Sequence, residues 1–129
     1  MKQRIPFSIC LIALATLSFI APPNPLVGRW QHLYKGATAL FVFRADSTFD
    51  VFINGKAFTH GTYFVRKDTM GMADVSCNLA YYGTYKMGFY APDSVRFNTI
   101  ADTCKGRNGD LHNFSVGRVS PDRASKAKP

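Results

Sequence analysis

Hydrophobic and polar positions alternate along this chain in short runs, with a turn signal between one run and the next. In residues 48–53, Phe49, Val51 and Ile53 alternate with Thr48, Asp50 and Phe52, the period of two that a strand requires. Asn54-Gly55 follows directly, and both residues tolerate the positive φ of a type I′ hairpin turn. The same reading predicts strands over 29–34, 38–44, 58–66, 71–77, 83–90, 94–101 and 111–120, with a Gly-rich loop around 105–110. No segment holds the i, i+3, i+4, i+7 spacing of a helix for long. Tight turns between eight short strands predict an up-and-down antiparallel sheet. Phe41 and Phe43 lie on one face of their strand and Leu40 and Val42 on the other, so a flat sheet would leave apolar surface in water. The expected fold is all-β, an eight-stranded closed barrel without free edges.

Composition narrows this picture at the ends. The 129 residues are 47% hydrophobic and 14% aromatic, too apolar for a disordered chain. Lys2 and Arg4 precede a charge-free stretch over 5–21, the pattern of a signal peptide; its length also permits an uncleaved anchor. Residues 22–27, with Pro22, Pro23 and Pro25, read as a linker, 28–120 as the barrel, and 121–129 as a basic flexible tail. The net charge is +8, but the basic residues are scattered singly and form no stripe for nucleic acid. Removing the signal removes Cys10 and leaves Cys77 and Cys104, the even number expected in an oxidising compartment. A bridge between them would stabilise a small barrel by roughly 3.5 kcal/mol; two buried thiols are the alternative.

Catalytic signals are absent. His32, His60 and His112 have no metal-ligand spacing, and there is no G-x-S-x-G elbow or phosphate loop. Most Asp residues fall in turns, and Asp50 and Asp74 are the strand carboxylates that could meet inside a barrel. The expectation is therefore no enzyme, no metal and no cofactor. Parity places Phe49, Val51, Ile53, Tyr63, Val65, Tyr85, Met87, Phe89, Val95, Phe97, Phe114 and Val116 inside. So many large groups predict a mostly filled interior, with a shallow apolar pocket at the open end as the functional alternative. Phe49, Tyr63, Tyr85, Met87, Phe97 and Phe114 are the candidate ligand-binding residues.

Gly28-Arg29-Trp30 resembles the G-x-W opening of lipocalins and their calycin relatives, and Arg118-Val119 resembles the basic residue that those folds lay across the tryptophan. The ordered set Asp46-Ser47-Thr48-Phe49, Gly61-Thr62-Tyr63, Cys77, Gly83-Thr84-Tyr85 and Asp102-Thr103-Cys104-Lys105-Gly106-Arg107 is similar to small secreted bacterial lipocalin-like domains. That resemblance implies a lipocalin-like barrel with a Cys77–Cys104 disulfide. It also implies structural roles for Gly28, Trp30 and Arg118; Asp102 and Arg107 flank Cys104 and could pair to fix the shape of its loop, for under about 1 kcal/mol if the pair is exposed. The functional expectation is an exported module, periplasmic, envelope-associated or secreted, that binds a small apolar or amphipathic ligand. It would contact a membrane only through an uncleaved N-terminal segment. The alternative is a filled scaffold that engages a protein partner or inhibits it through its loops.

Overall fold

A computed structural model describes residues 24–120; the expected signal or anchor and the basic tail lie outside the described residues. The strands are β1 (Gly28–Tyr34), β2 (Ala37–Phe43), β3 (Thr48–Ile53), β4 (Lys56–Arg66), β5 (Thr69–Asp74), β6 (Gly83–Ala91), β7 (Ser94–Ala101) and β8 (Phe114–Arg118), with helix α1 (Lys105–Leu111) before β8. Each strand pairs antiparallel with the next, and β8 returns to β1 at Trp30 opposite Arg118, closing the barrel. This is the up-and-down eight-stranded architecture that the alternation predicts. The Asn54-Gly55 turn has φ of 51° and 80°, the left-handed pair that a two-residue hairpin demands.

One segment departs from the expectation. Residues 105–111 form a helix rather than a loop, and strands β5 and β8 are correspondingly shorter than the sequence pattern suggests. Helix α1 contains Gly106 and Gly109 and buries just Arg107 and Leu111, four positions apart. Its inward face is thus half arginine, which no hydrophobic periodicity can reveal. Tertiary ties hold it: Cys104 at its N-cap is bonded to Cys77, and Arg107 is buried among acidic partners.

The odd-numbered strands begin, and the even-numbered ones end, at one end of the barrel. That end is solid. Trp30, Phe43, Phe49, Tyr63, Met70, Val95 and Phe97 are almost wholly buried there and in the mid-barrel, with the Phe43 and Tyr63 rings edge-on at 4.9 Å. The Trp30 indole donates to the Leu26 carbonyl at 2.9 Å, and the Arg118 guanidinium lies 4.3 Å from its ring centroid. Residues 24–27, read from sequence as linker, pack across this base: Leu26 is fully buried and Asn24 donates to the Tyr63 hydroxyl. Phe89, expected inside, is 42% exposed just before the register shifts between Phe89 and Ala91, and meets Trp30 edge-on.

Burying the indole contributes about 4–6 kcal/mol of transfer free energy, and the cation–π contact about 0.5–2 kcal/mol. Burial dominates, so Arg118 acts mainly as a clasp. Its Nη1 and Nη2 donate to the carbonyls of Val27 and Pro25, both at 2.9 Å, binding β8 to the segment that covers Trp30. Gly28 has a φ of 136°, and a Cβ there would lie 2.6 Å from Arg118 Nη1, so glycine is what lets the clasp close. We expect Arg118→Ala to cost about 2–3 kcal/mol in urea unfolding and Arg118→Lys about 1–2 kcal/mol. A cost below about 0.5 kcal/mol for both would remove the clasp from this account.

Candidate functional site

On β2, β3 and β4 the inward side chain nearest the Trp30 end is a large aromatic and the one nearest the other end is smaller. On β2 they run Phe43, Phe41, Ala39; on β3, Phe49, Val51, Ile53; on β4, Tyr63, Gly61, Thr59. The taper leaves a cavity of about 890 Å³ at the open end, where a largely filled interior was expected. Parity identifies most of the inward groups, Phe89 excepted, but does not show how their bulk is distributed along the barrel axis.

Phe41, Val51, Ile53, Met72, Leu111 and Phe114 supply the apolar wall. Of the six ligand-binding candidates chosen from sequence, Phe114 lines this cavity. Phe49, Tyr63, Tyr85, Met87 and Phe97 do not; they are buried packing beneath it. A register shift between Val51 and Phe52 leaves Phe58 without a partner across the strand pair and turns it to the mouth. His32 lies 4.3 Å from Phe114, and its Nδ1 donates to the Ser115 carbonyl at 2.6 Å, because a carbonyl can only accept. Thr59 is part of the cavity lining, and its Oγ1 is buried without a hydrogen-bond partner.

The floor beneath α1 carries a charge network. Arg107 donates from Nε and Nη2 to the two oxygens of Asp102, at 2.7 and 2.9 Å, and from Nη1 to Asp74 at 3.1 Å. Tyr85 donates its hydroxyl to Asp102, and the Cys104 amide donates to the same carboxylate. Asp74 accepts from the amide and hydroxyl of Ser76. The Asp102–Arg107 pair that could fix this segment is formed, and it is buried, with Asp74 as a third charged partner. Asp74 thus meets Asp102 through Arg107, while Asp50 pairs with Arg44 outside. Gly83 makes room: a Cβ there would stand 2.3 Å from Asp102 Oδ2.

Burial would push the Asp102 carboxyl up, but hydrogen bonds from Arg107 and Tyr85 outweigh it and hold the pKa below the usual carboxylate value. Burial and the Asp102 hydrogen bond push Tyr85 well above an ordinary phenol, so it remains a donor. Burial opposes the Arg107 charge, yet its carboxylates raise its pKa and it stays protonated. Mutual engagement of these groups makes the network a fastening for α1, reinforced by the Cys77–Cys104 disulfide on the cavity wall. Among the described residues, no three His, Cys, Asp or Glu side chains come together as a metal site.

No model of a known protein family matches this chain, and a search of curated proteins finds no match. The closed eight-stranded antiparallel barrel with its Cys77–Cys104 bond fits a lipocalin-like fold.

Arg107→Met leaves two buried carboxylates without their cation and should cost about 3–5 kcal/mol in chemical denaturation. A loss under about 1 kcal/mol would mean that water already solvates the network. Because the folded Asp102 carboxyl lies below its ordinary value of 3.8, its contribution is complete above that pH and lost as pH falls below it. The unfolding midpoint should therefore drop more steeply between about pH 4 and pH 2 in the wild type than in Asp102→Asn. Parallel slopes would contradict this assignment.

Proposed function

We propose that this protein is an exported, lipocalin-like calycin relative that binds a small apolar or amphipathic molecule in the open end of its barrel. The observation that carries this reading is the 890 Å³ apolar-walled cavity. Its volume lies in the range of small-molecule sites, about 300–1,000 Å³, and an eight-stranded barrel is just wide enough to hold one small ligand. So large a cavity weighs against a solid scaffold working through its loops alone. The Cys77–Cys104 disulfide is consistent with an oxidising, exported setting. The reading includes no catalytic step, since Asp74, Asp102 and Tyr85 are committed to Arg107 and to one another.

Titration with 11-(dansylamino)undecanoic acid, a fluorescent single-chain amphiphile, tests the reading. Saturable binding with a blue-shifted emission is expected. Val51→Phe fills cavity space and should weaken binding at least about tenfold while changing stability by less than about 1 kcal/mol. Thr59→Val removes an unsatisfied buried hydroxyl at nearly constant shape, so the empty barrel should gain about 1 kcal/mol. Absence of uptake, or a Val51→Phe protein that binds as the wild type does, overturns the reading.

A further inference from the structure

The geometry points to the open end as a docking face for an anionic lipid bilayer, from which the cavity takes up a single-chain amphiphile. The nature of the cargo rests on the cavity reading above; the docking rests on a separate observation. Leu33, Tyr34, Phe58, Val75 and Leu79 are large apolar residues, 47–67% exposed. Leu33 and Tyr34 end β1, Phe58 lies near the start of β4, and Val75 and Leu79 lie in the connection from β5 to β6. In an up-and-down barrel all of these positions surround the same end, the one where the cavity opens. Tyr34 and Phe58 are themselves part of its lining.

Charge selects the occupant. Lys35, Lys56 and Lys105 stand exposed in the turns and helix start at this end, and none is in an ion pair among the described residues. Lys35 lies over the Tyr34 ring, 5.2 Å from its centroid, so cation and apolar anchor share one place. Asp74 and Asp102 are buried against Arg107, leaving Asp110 as the one exposed carboxylate of this end among the described residues. The exposed turn carboxylates Asp46, Asp68 and Asp93 are at the opposite end, near Phe89 and Tyr90. Those carboxylates stand beside Arg66, Lys67 and, for Asp93, Arg118, so neither sign dominates that end, and it is the exposed apolar anchors among unpaired lysines that single out this one. Exposed apolar anchors among snorkelling lysines suit a headgroup layer, which admits the anchors and meets the ammonium groups with phosphate.

Depth-dependent quenching tests the orientation in the full chain. Leu33→Trp and Tyr90→Trp place a reporter at each end, and vesicles of brominated phosphatidylglycerol supply the quencher. Quenching of Leu33→Trp and little of Tyr90→Trp is expected. A chain held only through residues 5–21 would approach with its Trp30 end, where residue 24 packs, and would give the reverse result, which overturns the proposal. Adding Lys35→Gln and Lys56→Gln to the Leu33→Trp protein should weaken vesicle binding about 30-fold, a loss that high salt reproduces in the parent. Equal binding to phosphatidylcholine vesicles, or no effect of the two lysines, overturns it. So does a face made for a protein partner, since neither reporter would then be quenched. None of the four substituted residues lines the cavity, so solution binding of the dansyl probe is read independently. Probe uptake without Leu33→Trp quenching ends the docking proposal and leaves the cavity reading intact. Leu33→Trp quenching without uptake does the opposite.

Discussion

The seam between the first and last strands decides everything else in this barrel. Strands β1 and β8 pair through just two residue positions, Trp30 with Arg118 and Gln31 with Gly117. So short a ladder is a weak closure by itself. Its strength comes from what is stacked at the same place: a buried indole, a guanidinium across it, and two carbonyls of residues 25 and 27 bound by that guanidinium. One side chain therefore joins the last strand, the first strand and the segment that precedes it. Because the seam is consolidated at one end, the barrel is free to be hollow at the other.

The hollow end needs a different kind of reinforcement, and electrostatics supplies it. Apolar packing holds α1 only through Leu111 at its end, since the helix borders the cavity. Arg107 reaches sideways instead to Asp102 and Asp74, which belong to segments far apart in the chain. Desolvating three charges is costly, so the arrangement adds little net stability over an apolar equivalent. What it adds is position, because bidentate geometry tolerates little movement of the helix. The disulfide at Cys104 fixes the preceding residue to the connection after β5, so two chemically independent ties converge on one short helix.

The barrel was legible because a strand's alternation is local, and because Asn54-Gly55 and Lys35-Gly36 announce their turns by residue type. Trp30 and Arg118 were legible through a resemblance in their order along the chain, and the cysteine pair through its even count as well. The cavity was not. Phe49 and Val51 have the same parity, yet one is floor and the other is wall, and that difference depends on the axial level set by strand stagger. Helix α1 escaped notice because its buried face is an arginine and a leucine among glycines. Asp74 was singled out as a possible inward carboxylate, but its partner lies 33 positions away, and no local signal connects them. Thr59 carried no signal at all, since its significance lies in a hydrogen bond that it does not make.

These features together make the mouth unequal around its circumference. On one side α1 is held at its N-cap by the disulfide, at its middle by Arg107 and at its end by buried Leu111. On the other, the turns at 34–37 and 53–56 carry mostly exposed side chains on two-residue hairpins, tied to each other by the exposed Asn54–Thr38 hydrogen bonds and, among the described residues, by no disulfide or ion pair. Local opening is cheapest where few buried contacts must break, so the hairpin side is the compliant wall and the helix side the rigid one. A molecule entering the cavity would pass over Tyr34 and Phe58 rather than displace α1. The same compliant side carries Leu33, Lys35 and Lys56, which means that whatever surface engages those residues also faces the wall most able to yield.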